Sequence, residues 1–333
     1  MTATLRLLFR CDGGQAQGLG HITRCLSLAR TIREIAPLAH IAFWGQYDAF
    51  ARTLLAQHDM PAWPSSPPEG NADGIEATHN VCADFDVLLL DSYAIDQDYI
   101  NGLKKQPCKL ALIDDDQRHD LSDADLVLCF RAGAETLTYG ARHQLLGPAF
   151  MLVKPELRAL RERNLGLPAH RCISRALIFL SGGHRAPELL PTVLGAFEGM
   201  GLEIAYLAPE EPRHASTAHA RHLPLTPAIE TLYANTDFVL CGGGLTKYEC
   251  AYAGIPNACL SLTSLQNEDT RIMAAQGFTL DLGLASALHP ERLRGQLAEF
   301  IRDETAQADQ RRAFASKLDG DGPLRVARTL LSL

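Results

Sequence analysis

"LRLLFRCDGGQAQGLGHITRCLSLA", Leu5 to Ala29, is the stretch on which the reading of this chain turns. The apolar run from Leu5 to Phe9 leads directly into Gly13, Gly14, Gly18 and Gly20, and His21 then opens "HITRCLSLARTI". Within that last segment Ile22, Cys25, Leu26, Leu28, Ala29 and Ile32 recur at helical spacing. The order is strand, glycine turn, helix. Four glycines so close together mean that a ligand passes near the backbone or that the turn is very tight. His21, at the mouth of the helix, faces whatever the loop surrounds.

The same alternation continues outward. "IAFWG" (Ile41 to Gly45), "DVLLLDS" (Asp86 to Ser92), "KLALIDD" (Lys109 to Asp115) and "DLVLCF" (Asp125 to Phe130) are short continuous apolar runs. Such runs suit parallel strands covered on both faces. Helical stretches at His21 to Ile35 and Tyr47 to His58 separate the first of them, which predicts a doubly wound α/β sheet, with Pro61 to Gly74 as an irregular loop. The pattern restarts at "RALIFLSGG" (Arg175 to Gly183), with a helix over about Glu188 to Met200, the strand "LEIAYLA", and a turn-rich Pro209 to Arg221. "DFVLCGGG" (Asp237 to Gly244), the helix "TKYECAYAG", the strand "NACLSL" and the helix "EDTRIMAAQG" follow, and Leu293 to Leu333 reads as helices broken at "DGDGP".

With 333 residues, 47% hydrophobic and 21% charged, the chain is long enough for two domains. The expected division is 1–150, a linker over 151–172, a second domain over 173–310, and a carboxy-terminal helix over 311–333. A net charge of −8 without a basic stripe argues against nucleic acid or an anionic membrane as the main partner. No window is long and apolar enough to span a bilayer, and Met1 to Arg10 lacks a signal-peptide core, so a cytoplasmic protein is expected. The nine cysteines contain no CxxC pair and read as buried reduced thiols.

In open α/β sheets ligands bind beyond the carboxyl ends of the strands, where glycine turns expose backbone amides. Three such turns occur: Gly13 to Gly20, "SGGHR" at Ser181 to Arg185, and "CGGGLTKYE" at Cys241 to Glu249. A nicotinamide enzyme would carry G-x-G-x-x-G after the first strand and an acid after the second. Gly18-Leu19-Gly20-His21-Ile22-Thr23 lacks the third glycine, "IAFWGQ" has no acid, and no P-loop signature is present. Two Rossmann-like domains facing across a cleft, the glycosyltransferase-B architecture of nucleotide-sugar enzymes, is the arrangement that remains.

"FRCDGGQAQGLGHITRCLSLA" resembles the opening signature of the UDP-sugar hydrolases of pseudaminic acid biosynthesis and their spore-coat polysaccharide relatives, G-x-G-H-x-x-R-C-L-x-L-A preceded by R-x-D. "LLLDSYAID" resembles their D-x-Y-x-x-D segment, "LIDDDQRHD" their I-D-D strand, "LLGPAFMLVKPEL" their L-x-G-x-x-Y-x-L-L-R-P-E-F, and "CGGGLTKYECAYAGIP" their G-G-x-[ST]-x-x-E-x-x-x-x-G-x-P. The resemblance implies metal-independent hydrolysis of a UDP-sugar at the anomeric carbon, releasing UDP and a free diacetamido-trideoxyhexose; no cofactor is expected, and a monomer is. It implies His21 as the base that activates water, and Glu249 as the ligand of the ribose hydroxyls. Asp12 is expected to orient the imidazole or bind the sugar.

Around these, Arg10, Gly18, Gly20 and Tyr93 are expected at the sugar. Ser181, Gly182, Gly183, Gly243, Gly244, Leu245 and Thr246 are expected at the diphosphate, and Gln266 and Asn267 at sugar or phosphate. Physically, a neutral imidazole is a suitable proton acceptor, and amides at a helix start suit a diphosphate without a metal. Lys247 reads either as a phosphate partner or as a solvated side chain. Asp114, Asp115 and Asp116 read as loop-bonded acids ahead of a metal cluster. Ser92, "LCFRAG", His184, Arg185 and "SLQNED" depart from the family pattern, mostly on the sugar side, leaving the sugar and the acceptor open. Two alternatives accompany the hydrolase: a glycosyltransferase on the same frame, and a non-catalytic nucleotide-sugar binding subunit.

Overall fold

A computed structural model describes residues 4–14, 18–64, 72–105, 107–168, 171–180, 186–210 and 220–333. It divides into two units, Met1–Val153 with Gly320–Leu333, and Lys154–Asp319.

Unit 1 is built on β1 (Arg6–Cys11), β2 (His40–Gly45), β3 (Ala62–Pro64), β4 (Val87–Asp91), β5 (Lys109–Ile113), β6 (Leu126–Cys129) and β7 (His143–Leu146). They form one parallel sheet in the order β3-β2-β1-β4-β5-β6-β7. Every residue of β4 and β6 is buried, which accounts for their unbroken apolar runs. The helices are α1 (Gly20–Ile35), α2 (Ala49–Ala56), α3 (Ala72–Cys82) and α4 (Gln97–Leu103). Asp48 and Asp96 cap α2 and α4 by accepting from Ala51 N–H and Tyr99 N–H.

Unit 2 repeats the plan with α5 (Leu157–Leu165), β8 (Arg175–Phe179), α6 (Ala186–Gly195), β9 (Glu203–Leu207), β10 (Ala220–Leu223), α7 (Ile229–Tyr233) and β11 (Phe238–Gly242). Then come α8 (Thr246–Ala253), β12 (Asn257–Ser261), α9 (Ser264–Ala275), β13 (Leu280–Leu284), α10 (Pro290–Arg302) and α11 (Glu304–Lys317). Its six parallel strands run β10-β9-β8-β11-β12-β13. The last helix, α12 (Gly322–Leu330), returns to unit 1 and packs on α1. Val326, Ala327 and Leu330 are wholly buried there. Gly322 permits this docking, because a β-carbon on it would stand 2.3 Å from Met151 O.

In both sheets the strand order reverses beside the first strand of the unit, β1/β4 in unit 1 and β8/β11 in unit 2. At such a switch point neighbouring connections leave toward opposite faces, and the carboxyl ends of the strands open a crevice.

Several expectations change. The expected linker 151–172 contains α5, and the expected single helix over 311–333 is the end of α11 plus α12, on different units. The expected irregular loop at Pro61 to Gly74 begins with β3, an edge strand on which Pro64 is tolerated. The helix expected to reach Met200 ends at Gly195. Cys172 is exposed and Cys108 half-buried, whereas the other seven free cysteines are buried.

Candidate active site

In unit 1 the carboxyl ends of β1 and β4 lie side by side, with Cys11 opposite Asp91 in the ladder. The turn after β1 leads into α1, so His21, in its first turn, arrives beside the last residue of β4. His21 Nδ1 lies 2.6 Å from Asp91 Oδ1. Arg24, one turn further along α1, grips the same carboxylate twice, Nε donating to Oδ2 at 2.7 Å and Nη2 to Oδ1 at 2.6 Å. Its remaining nitrogen, Nη1, donates to Asp115 Oδ2 at 2.8 Å. Tyr93 donates its hydroxyl to that same oxygen at 2.7 Å and sets its ring edge-on to His21 at 4.6 Å. The guanidinium also lies over Phe130 at 5.4 Å.

Asp91 and Arg24 are buried, and the His21 side chain keeps 15% of its surface exposed. Burial alone would raise the Asp91 carboxyl, but Arg24 and His21 outweigh it and hold it well below the usual carboxylate range. Burial pulls the Arg24 guanidinium down while Asp115 and Asp91 more than restore it, so it stays charged. Burial and Asp115 push the Tyr93 phenol up, so it remains a donor at neutral pH. The hydroxyl end is the part-buried one, while the residue as a whole is 53% exposed beside the histidine.

Asp12, the carboxylate nearest His21 in sequence, is engaged elsewhere. Its Oδ1 accepts from Arg10 Nη1 at 2.7 Å and from Gln46 N–H at 2.7 Å, so the partner of the imidazole is Asp91. Arg10, expected at the sugar, is 1% exposed and stacked on Trp44 at 5.1 Å, which makes it a support for Asp12. Gly18 has φ of +92° and Gly20 begins α1, and a β-carbon on either would meet nothing within 4 Å. Leu19 caps α1 without a side-chain bond.

In unit 2 the turn after β11 enters α8, again without a side-chain cap. Gly243 is buried in this turn, Gly244 and Leu245 are half-buried and Thr246 is buried. Glu249 is 6% exposed and accepts from Tyr233 Oη on α7 at 3.1 Å. Burial and Glu249 raise the Tyr233 phenol, keeping it a donor. Gln266 packs over Gly243 and accepts from Leu262 N–H at 2.9 Å, while Asn267 Oδ1 is buried with no hydrogen-bond partner among the described residues.

Lys247 is neither solvated nor turned to a ligand. It is 0% exposed, pairs with Asp269 at 2.7 Å and donates to Gly243 O at 2.6 Å. With the Gly243 carbonyl drawn inward, the planar trans peptide turns the Gly244 N–H the opposite way. Tyr248 Oη donates to Asp269 at 2.6 Å and completes the buried set. Ser181, Gly182 and Gly183 lie outside the described residues, as do His184 and Arg185.

Asp114 accepts from Tyr139 Oη at 2.6 Å and Gln117 N–H at 2.8 Å, Asp115 holds Arg24 and Tyr93, and Asp116 pairs with Arg118. Among the described residues no group of three or more His, Cys, Asp or Glu could hold a metal ion. No described helix is long and apolar enough to cross a membrane. Asp91, Arg24 and Tyr233 were not singled out by sequence reasoning for these partnerships. Arg24 and Asp91 both stand within quoted motifs, H-x-x-R-C and D-x-Y, which is the signal that marks them.

No protein-family model matches the chain. The spore coat polysaccharide biosynthesis protein SpsG of Bacillus subtilis is 22% identical over 341 aligned residues, 97% of this chain and 96% of that protein. An uncharacterized protein of Methanocaldococcus jannaschii, MJ1062, is 20% identical over 283 residues, 79% of this chain and 57% of that protein. Solved structures with the same fold include LpCGTa in complex with UDP (TM-score 0.71, 13% identity, 99% of each chain). The Acinetobacter baumannii MurG structure has a TM-score of 0.68 at 13% identity, covering 99% of this chain and 100% of that one. The calicheamicin glycosyltransferase CalG4 has a TM-score of 0.66 at 14% identity, covering 99% and 98%. The chain thus has the glycosyltransferase-B fold of these structures and is similar to SpsG over nearly its whole length.

Proposed function

We propose that this protein is a metal-independent, inverting hydrolase of a UDP-linked diacetamido-trideoxyhexose, serving nonulosonic acid or surface polysaccharide biosynthesis as a cytoplasmic monomer. The observation that carries the reading is the 2.6 Å contact of His21 Nδ1 with the buried Asp91 carboxylate, which leaves Nε2 for a substrate proton. In this reading a water oxygen attacks the anomeric carbon as Nε2 takes its proton. The bond from that carbon to the diphosphate oxygen breaks with its electron pair going to UDP, and one displacement inverts the anomer. The amides from Gly243 to Thr246, at the start of α8, receive the diphosphate charge. Glu249, with one oxygen on Tyr233, accepts from the ribose hydroxyls.

A second reading replaces water with an acceptor hydroxyl. It is favoured by the CalG4 structure, whose protein is a glycosyltransferase. The test is to follow UDP release and product anomer from a panel of UDP-sugars without acceptor. Release that falls about 100-fold or more in His21→Ala supports hydrolysis. Release only after an acceptor alcohol is added supports transfer, and UDP-sugar binding without turnover under either condition supports a binding subunit. Addition of EDTA is expected to leave release unchanged.

A further inference from the structure

The imidazole of His21 touches one carboxylate, and that carboxylate is held by a group the proposed reaction does not use. Asp91 is 1% exposed, a position in which a carboxyl group favours its neutral form. A neutral Asp91 would carry an O–H and could donate it to His21 Nδ1. The proton of the imidazole would then sit on Nε2, the nitrogen that has to accept from water. An ionised Asp91 can only accept, so Nδ1 must carry the proton and Nε2 is bare.

We infer that Arg24 is a positioning residue: forked onto Asp91, it keeps that carboxylate an acceptor only, which fixes the His21 proton on Nδ1 and leaves Nε2 as the bare nitrogen. The inference rests on the proposed role of His21 and deepens it. The two short bonds from Nε and Nη2 form a parallel fork, the strongest arrangement of guanidinium and carboxylate. Nη2 also lies 3.3 Å from His21 Nδ1, a donor approach that would suit the opposite tautomer. That nitrogen already donates to Asp91 at 2.6 Å, and the contact of Nδ1 with the same oxygen is equally short, so the carboxylate takes both protons.

The other groups around the fork leave it a single job. On α1 the Cys25 thiol donates to Asp91 at 3.4 Å and is pushed up by burial and Cys11, so it stays a neutral thiol. Beyond β4 Tyr93 remains a phenol, and after β5 Asp115 takes the third guanidinium nitrogen. Asp114 turns to Tyr139, and Cys129 on β6 is raised by burial. Arg24 is the one cation bonded to Asp91 among the described residues, apart from His21 if protonated.

The test is nitrogen-15 NMR of histidine-labelled protein at neutral pH without substrate, with His21 assigned by comparison with His21→Asn. The wild type is expected to show Nδ1 protonated and Nε2 bare. Arg24→Met is expected to lower the bare-Nε2 population by about tenfold or more, with the single proton moved to Nε2 as Asp91 becomes neutral; an imidazolium protonated on both nitrogens in that variant overturns the inference. Arg24→Lys, which keeps the charge, is expected to restore it. Where a UDP-sugar is turned over, Arg24→Met lowers kcat and leaves KM within about twofold.

A wild-type His21 with Nε2 protonated overturns the inference, as does a folded Arg24→Met that retains bare Nε2. If Arg24→Met does not fold, Arg24→Lys decides: loss of bare Nε2 in that variant also overturns it. Because the spectra need no substrate, failure of the wild type to hydrolyse any UDP-sugar would overturn the proposed activity and leave this result standing.

Discussion

Gln266 lies so close over Gly243 that a β-carbon built on the glycine would stand 2.4 Å from Gln266 Cβ. No rotation of the glutamine side chain relieves a contact at its own β-carbon, so Gly243→Ala has to move α9 or the turn. The variant is expected to lose about 1–3 kcal/mol of stability by overpacking and to bind UDP more weakly, read by thermal unfolding and calorimetric titration. Gly20→Ala is the contrasting case. With open space at its β-carbon and a place in α1, it should keep or gain up to about 1 kcal/mol while turnover falls, if the sugar uses that space.

Asp91→Asn should change acid stability in a defined direction. Arg24 and His21 outweigh burial and lower the Asp91 carboxyl in the folded protein, so it binds its proton less readily folded than unfolded. Its contribution is complete above about pH 4 and is lost as the pH falls from there toward the lower folded value. At neutral pH the variant leaves Arg24 buried without this partner and should lose about 3–5 kcal/mol. Urea unfolding as a function of pH checks both, since the stability of the variant should fall less steeply below pH 4 than that of the wild type.

Lys247→Met removes one member of a buried pair and should destabilise unit 2 by about 3–5 kcal/mol, because Asp269 keeps its bond from Tyr248 but loses its cation. The double variant Lys247→Met with Asp269→Leu should recover most of that loss. It should not recover UDP affinity, since the Gly243 carbonyl would still lack its anchor. Urea unfolding and UDP titration of the single and double variants separate the two effects.

Leu330→Ala tests the return of the chain to unit 1. This side chain is 0% exposed on α12, and its truncation should cost about 2–5 kcal/mol. Hydrogen exchange should report the loss in β1, β4 and α1, while β8, β11 and β12 of unit 2 keep their protection.

What could be read from the sequence follows from how local each feature is. His21 and Glu249 each stand a few residues beyond an apolar strand and a glycine turn, so the chain itself marks their place. The bond between His21 and Asp91 spans 70 residues and depends on β4 lying beside β1 with β2 on the other side, a strand order that no local pattern contains. Asp12, close to His21 in sequence, is drawn instead to the Gln46 amide at the end of β2. Lys247 misled for a related reason: a lysine at a helix start normally reaches water, but α8 is buried on all sides and Asp269 comes from the next helix. The edge strands were least visible, since β3 contains a proline and the short β7 and β10 mix polar with apolar residues.

The route of the chain also sets an order of assembly. Unit 2 is continuous from Lys154 to Asp319, and everything it needs has been synthesised by the time its last helix is made. The strands of unit 1 are all present by Leu146, yet the face of α1 that receives α12 stays bare until Gly320–Leu333 emerges. During translation, therefore, the unit that carries His21 is begun before unit 2 and closed after it, and its α1 surface stays exposed in the interval.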